Sequence, residues 1–514
     1  MNLSNWIERQ ADFAAERCAI RFAGEEVSYG RLAQDVRRLA DSMATQLGIR
    51  RGDRIAYLGL NSPEIIVLLF ACARLGAVLM PLNWRLARPE HLYMIRQSEP
   101  SAFLVMPEFV EHVQDMRAEL GPVALVAGGD AVDGWLSYKE LLEQGSASSS
   151  SPGAARSADP VLLCYTSGTT GKPKGALLSN DALTWNAVNA THMHDLRSED
   201  VVLTVLPMFH VGGLNIQTLP ALHAGAMTVV HKRFEVDTFF DAVEQDSITL
   251  TLVVPTIMHA LIRDPRWETA DLGRLRMISI GSTIVPEQLI RTVGERGVPL
   301  VQVYGSTETA PIAAYMPVRQ TMQRPGSTGK PAIHCDLRLV DKNGNDVPAG
   351  EKGEILVRGP NVMTEYWKNA EATSAALSQG WFHTGDIAHF DNDGFLYVDG
   401  RSKEMIICGG ENVYPAVVEN VLAECDDISE VAVVGVPDDY WGEIVVAVVV
   451  PSGSKREVKD ILDFCEGRIA HFETPREVIF VDQLPRNAMG KVEKETLRQT
   501  AMQMTNKKKQ HATG

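Results

Sequence analysis

The stretch YTSGTTGKPKG, residues 165–175, packs three glycines, two lysines and four Ser/Thr hydroxyls into eleven positions. It overlaps the end of the apolar run at 161–165, which reads as a buried strand. Glycine lets a backbone approach a ligand that a Cβ would hold off. Backbone N–H groups, hydroxyls and ammonium groups are the donors a polyanion needs. The spacing is not that of a Walker A loop. Only two residues separate Gly168 from Gly171, and Pro173 follows Lys172 where that loop has Ser or Thr. Proline also removes a donor and biases Lys172 away from helix. What remains is a strand running into a loop suited to a triphosphate. Its candidate contacts are Thr166, Ser167, Gly168, Thr169, Thr170, Gly171 and Lys174.

Downstream, short apolar runs at 201–205, 227–230, 250–254, 277–280 and 300–303 alternate with helical patterns that begin at Val236 and Pro286. Asn180 is placed to cap a helix over DALTWNAVNATHM. Strand–helix alternation with continuously apolar strands predicts an α/β fold, a large N-terminal domain of doubly wound, mostly parallel sheets. Past residue 400 the pattern changes. A strand at 405–407, a helix at 414–425, pairing strands at 431–436 and 444–450, a helix at 458–469 and a strand at 478–481 predict a small mobile α+β domain. The polar junction GRSKE, residues 400–404, suits a hinge. The expected domains are therefore 1–400 and 404–514, with the hinge at 401–403. GSASSSSP at 145–152 reads as a Ser-rich loop, and no fixed-period repeat is visible.

At 514 residues the chain exceeds what one hydrophobic core usually serves. The formal net charge of -16 argues against general nucleic-acid binding. Seven scattered cysteines without a CxxC pair argue against a disulfide framework or a zinc site, and fit a reducing, cytoplasmic setting. The N-terminal MNLSNWIERQADF carries acids early and no apolar h-region, so it does not read as a signal peptide. The most membrane-like segment, 65–82, is interrupted by Arg74 and Gly76 and reads as a buried helix plus strand. The lysines at 507–509 read as a solvated tail.

YTSGTTGKPKG resembles the phosphate-loop signature of the adenylate-forming superfamily, which includes acyl-CoA synthetases, peptide-synthetase adenylation domains and beetle luciferases. YGSTE at 304–308 resembles that family's YGxTE motif, and WFHTGD at 381–386 its (F/W)xTGD motif. GRSKE at 400–404, GGENVYP at 409–415 and LPRNAMGK at 484–491 resemble its GRxKE, GGENVYP and LPRNxxGK segments. The motifs stand in family order, and the N-terminal segments YGRLAQDVRRLADSMA and LNSPEIIVLLFACARLGAV are similar too. The resemblance implies a carboxylic acid:CoA ligase of the AMP-forming type. It would join a carboxylate to the α-phosphate of ATP, release pyrophosphate, and pass the acyl group to coenzyme A, with Mg²⁺ required.

The resemblance also implies roles. Lys491 bridges the acid oxygen and the α-phosphate, relieving repulsion between two anions. Glu308 is the Mg²⁺ ligand, and Thr307 donates to the α-phosphate. Tyr304 packs on the adenine, Gly305 leaves room for the acyl-AMP, and Ser306 belongs to the same nucleotide-binding motif. Asp386 accepts from the ribose hydroxyls, with Arg401 as a second ribose or phosphate contact. Lys403 is the hinge about which the small domain swings between half-reactions, and Gly409 and Gly410 then line a pantetheine tunnel. His210, in the family-like PMFH segment, is a gate or wall between the acyl site and that tunnel.

FHV at 209–211 stands where amino-acid adenylation domains carry an Asp for the substrate ammonium, so an α-amino acid is disfavoured. No Lys or Arg occurs at 204–219 or 279–285, so a dicarboxylate finds no partner for its second charge. Val211, Leu214, Ile284, Ala310 and Ile312 supply an apolar lining suited to a fatty or aromatic acid. Two positions depart from the family pattern. Ser282, Thr283 and Ile284 replace the small residues of many relatives, and Glu473 stands where many CoA ligases carry Lys. Competing readings are an acyl-AMP ligase loading a separate carrier's phosphopantetheine, and a non-catalytic AMP- or acyl-binding regulator. Lys491, Glu308 and Asp386 argue against the regulator. The expected partners are a small-molecule carboxylic acid, ATP and CoA, with no nucleic acid and no membrane span; a homodimer is one option for assembly.

Overall fold

The computed structural model describes residues 2–148, 155–166, 173–282, 285–408, 411–438, 441–453, 457–466, 468–487 and 490–512. The expectations for Ser167, Gly168, Thr169, Thr170, Gly171, Ile284, Gly409 and Gly410 lie outside these residues.

The apolar runs become strands because a continuous hydrophobic strand is stable only when both its faces are covered. Leu300–Tyr304, Met277–Ile280, Leu250–Val253, Val201–Thr204, Met227–Val230 and Cys18–Phe22 lie side by side, all parallel, in the middle of a nine-stranded sheet. Helices such as Val236–Gln245 and Glu287–Glu295 make the crossovers and bury Phe239, Phe240, Leu289 and Val293 against it. An eight-stranded sheet sets Pro160–Thr166, Val78–Pro81, Arg54–Leu58, Ala102–Val105 and Ala124–Ala127 in parallel order. The segment 65–82 supplies the helix Pro63–Leu75 and the strand Val78–Pro81, both buried. Among the described residues no helix is long and apolar enough to cross a membrane.

Pro160–Thr166 also pairs antiparallel with Lys174–Ser179, Thr166 opposite Lys174, so the opening loop connects a hairpin. The helix that follows is capped by Ser179, whose hydroxyl accepts from Ala182 N at 3.0 Å. This corrects the expectation for Asn180. Asn180 is the first helical residue, and its buried side chain instead accepts from Leu3 N at 3.1 Å and donates to Asp159 O at 3.0 Å.

A third sheet was not legible beforehand. Asp336–Val340, Gly353–Arg358, Trp381–Phe390 and Leu396–Arg401 form antiparallel neighbours. It ends at Arg401, and after the short turn Ser402–Glu404 the last sheet begins with Ile406–Cys408. There Ile428–Asp438 and Gly442–Pro451 pair antiparallel, Glu477–Phe480 adds in parallel, and Pro415–Ala423 and Val458–Cys465 pack on one face. The chain from Lys494 to Ala512, which carries the lysines at 507–509, is helix, and Leu497 and Ala501 anchor its first turns in the core.

One buried side chain joins the two large sheets beside the PMFH segment. Asn61 is 4% exposed. Its amide donates to Leu206 O at 2.9 Å and His231 O at 3.1 Å, and its Oδ1 accepts from Met208 N at 2.7 Å. Replacing it with Leu orphans three buried backbone groups, each costing roughly 1–3 kcal/mol. Asn61→Leu is expected to lose on the order of 3 kcal/mol in urea unfolding and to raise the KM for the acid, because residues 207–210 lose their anchor.

Candidate active site

Asp386 sits in the strand Trp381–Phe390, directly opposite Arg401 on the neighbouring strand. Arg401 Nε lies 3.0 Å from Asp386 Oδ1, and Tyr304 Oη donates to Asp386 Oδ2 at 2.8 Å. The carboxylate is 7% exposed, and burial raises its pKa; the Arg401 charge and the Tyr304 hydroxyl oppose that rise. The Asp386 charge in turn raises the Arg401 pKa. Burial, then the Asp386 charge, holds the Tyr304 phenol well above its ordinary range. Tyr304 therefore meets the site through its hydroxyl as well as its ring. Thr384, not singled out in the sequence, fixes the turn before Asp386: its hydroxyl accepts from Asp386 N at 3.0 Å and donates to Ile355 O at 2.8 Å.

Gly305 follows Tyr304 at the end of its strand. A Cβ built there would stand 1.5 Å from Pro311 O and 2.9 Å from Thr309 Oγ1. The chain's own return at Pro311 therefore excludes a side chain at Gly305. Ser306 N donates to Thr309 Oγ1 at 3.0 Å, while Ser306 Oγ is buried with no partner. Thr307 is buried beside it. Glu308 is gripped at both ends: its backbone carbonyl accepts from Met363 N at 2.7 Å, and Oε1 accepts from Tyr366 Oη at 2.6 Å. Tyr366 was missed in the sequence because nothing in its neighbourhood points 58 residues back to Glu308. Lys174 Nζ lies 5.4 Å from the centroid of the Tyr366 ring, and Thr166 Oγ1 donates to Lys174 O at 3.3 Å. The foot of the opening loop and the YGSTE segment therefore share one wall.

Lys491 comes from the far side of the junction. Its loop is a tight turn: Asn487 Oδ1 accepts from Lys491 N at 3.0 Å, Asn487 N donates to Lys491 O at 2.8 Å, and Gly490 takes φ +79°. Lys491 as a whole remains solvent-exposed, but its ammonium is crowded by the cleft. Lost hydration lowers its pKa first and Arg401 adds to this, while Asp386, Glu308 and Glu404 oppose it. The same ammonium acts on His210 across the cleft. Burial, with Lys491 adding, pushes His210 down to about 3, so the imidazole is neutral. Its Nδ1 accepts from Gly212 N at 3.1 Å, which leaves the proton on Nε2. Lys403 is exposed in the turn between Arg401 and Glu404.

Beyond His210, Val211, Leu214, Ala310 and Ile312 are all buried. Asn186 clamps their two segments together, donating to Asn215 O at 2.7 Å and accepting from Ile312 N at 3.0 Å. Glu473 is engaged locally, accepting from Ala470 N at 3.1 Å. The site thus collects the Asp386 and Glu308 carboxylates, the buried Ser306 hydroxyl and the Lys491 ammonium, with the neutral His210 and the buried apolar side chains beside them.

Comparison with known proteins agrees with this geometry. Residues 7–367 match the AMP-binding enzyme family, and residues 417–491 match the AMP-binding enzyme C-terminal domain. An indoleacetate–CoA ligase of Aromatoleum aromaticum is 53% identical over 98% of this chain and 99% of its own length. A feruloyl-CoA synthase of Amycolatopsis sp is 41% identical over 96% and 98%. Among solved structures, the anthranilate CoA ligase AuaEII in complex with anthranoyl-AMP superposes with a TM-score of 0.92 at 26% identity, covering 98% of both chains. ATP-bound MatB from Rhodopseudomonas palustris gives 0.89 at 32% identity, covering 98% of this chain and 100% of that one. By sequence, by fold and by the residues gathered in its cleft, the chain belongs to the AMP-binding enzyme family of adenylate-forming acyl-CoA synthetases.

Proposed function

We propose that this enzyme is an AMP-forming ligase that activates an aromatic carboxylic acid and transfers it to coenzyme A. The observation that carries the reading is the meeting of Lys491, from the small domain, with Asp386, Glu308 and His210 in one cleft. Two anions must approach there, and a partly desolvated ammonium lowers the cost of bringing them together. Asp386 and Arg401 hold the ribose side, Lys174 and the opening loop the triphosphate side, and the acid lies beyond His210 with its ring in the apolar recess. The aromatic choice rests on that recess and on the likeness to ligases named for indoleacetate and ferulate.

Among the described residues no group of three or more His, Cys, Asp or Glu is arranged for a metal. Glu308, whose Oε1 accepts from Tyr366 Oη at 2.6 Å, is the carboxylate that would hold a Mg²⁺ ion brought by the triphosphate. When bound, the ion screens the triphosphate charge. The scattered, unpaired cysteines support a cytoplasmic setting, and a homodimer is compatible with this reading.

The hinge assignment has a mechanical basis. Arg401 is tied to Asp386 in the large domain, while Glu404 is tied to Lys494 at 3.2 Å in the small one. Ser402 and Lys403 stand between these two ties, in the short turn where we place the rotation. This rotation would withdraw Lys491 after adenylation and open the site to the thiol.

Pyrophosphate release measured over a panel of aromatic and fatty acids tests the function. Aromatic acids are expected to give the highest kcat/KM, and release with none of them would refute the reading. Lys491→Ala should lower pyrophosphate release by about 10²–10³-fold, yet largely spare CoA transfer from supplied acyl-AMP. Lys403→Pro, which stiffens φ, should slow the CoA step several-fold more than pyrophosphate release in single-turnover assays; an unchanged CoA step would remove the hinge.

A further inference from the structure

The helix that leaves His210 does not stay regular. Leu214–Thr218 is a π-helical turn, a distortion that recurs at functional sites. It carries two amides, Asn215 and Gln217, that are 1% and 2% exposed. Three of their four polar side-chain atoms, Asn215 Nδ2, Asn215 Oδ1 and Gln217 Oε1, are buried with no partner. Buried amides of this kind are rare because each unsatisfied atom is costly.

The orientation of Gln217 follows from its neighbours. Its Nε2 lies 3.2 Å from Thr251 O, which can only accept, so the nitrogen points there and Oε1 points away. The same nitrogen lies 3.2 Å from Ser279 Oγ. Ser279 Oγ is 3.1 Å from His194 Nε2, and His194 Nδ1 donates to Ala190 O at 2.8 Å. Each proton in this chain therefore has one direction: Ser279 donates to His194, and Gln217 donates to Ser279 and Thr251. Burial pushes His194 down to about 4, so the ring stays neutral and the chain does not reverse near neutral pH. Oε1 is the acceptor left over.

Gln217 lies about one turn beyond Leu214, a wall of the acid recess, and leans over the strands Leu250–Val253 and Met277–Ile280. Together with Thr204, Leu206, Gly213, Thr218 and Leu252 it lines a small cavity of about 10 Å³. That is room for about one hydrogen-bonding group or one water. No Lys or Arg occurs at 204–219, so the cavity selects a neutral donor and not an anion.

We propose that Gln217 Oε1 forms the far end of the acid pocket and selects aromatic acids whose ring carries an N–H donor. This inference rests on the aromatic-acid reading above. An acid with the donor satisfies the orphan acceptor, whereas a ring of the same shape without it leaves the acceptor buried and unpaired.

The test compares pyrophosphate release by the full-length enzyme with indole-3-acetate, 1-benzothiophene-3-acetate and 1-methylindole-3-acetate. The wild-type enzyme is expected to prefer indole-3-acetate to both others by about 10- to 100-fold in kcat/KM. Gln217→Met, close in volume but without the acceptor, should bring the indole-to-benzothiophene ratio to about one. Equal wild-type kcat/KM for indole and benzothiophene acids overturns the inference and leaves the aromatic reading intact, as does an unchanged ratio in Gln217→Met. Activation of none of the three overturns both. Should Gln217→Met fail to fold, the wild-type preferences decide alone.

Discussion

Asp386 is a carboxylate held almost out of water, where desolvation favours its neutral form, while Arg401 and Tyr304, which face it, favour the ionised one. Those two partners come from different places. Tyr304 ends a parallel strand of the nine-stranded sheet, and Arg401 is the last residue of the strand that leads to the small domain. One charge cluster around the buried Asp386 therefore joins the YGSTE segment to the junction. Asp386 also weighs on the Lys491 ammonium, so the same carboxylate helps set the charge of the group that arrives from the small domain.

Charge crowding explains why chemistry is divided between two bodies. Arg401 and Lys491 repel each other, and the cleft has already stripped hydration from Lys491. Asp386, Glu308 and Glu404 offset part of that cost, because a cation in such a position is costly without anions to face it. The turn that carries Lys491 lies beyond the junction, in the C-terminal domain. At the junction Arg401 pairs with Asp386 of the large domain, and Glu404 pairs with Lys494 of the small one.

Several elements were legible because their chemistry is local. Strands at 201–204, 227–230 and 277–280 announce themselves as apolar runs of the right length, bounded by helical patterns. The antiparallel sheet built from Asp336–Val340 and Gly353–Arg358 was not, since its strands are half exposed and mix charged with apolar residues. The helix Lys494–Ala512 was hidden by its charged, polar composition, though Leu497 and Ala501 are anchored in the core. Ser179 and Asn180 are both good caps in isolation. What separated them was the demand of Leu3 and Asp159, distant in sequence, on the Asn180 side chain.

By itself the sequence determined the reaction class, because the segments YTSGTTGKPKG, YGSTE, WFHTGD and LPRNAMGK are each written in a few adjacent residues and stand in family order. Only the tertiary structure decided who holds whom. It set Tyr366 on Glu308, placed Pro311 against Gly305, and pointed the Gln217 nitrogen at Thr251 so that its oxygen was left without a partner. These contacts join residues that approach only when strands close into a sheet, and no local pattern of residue types encodes that approach.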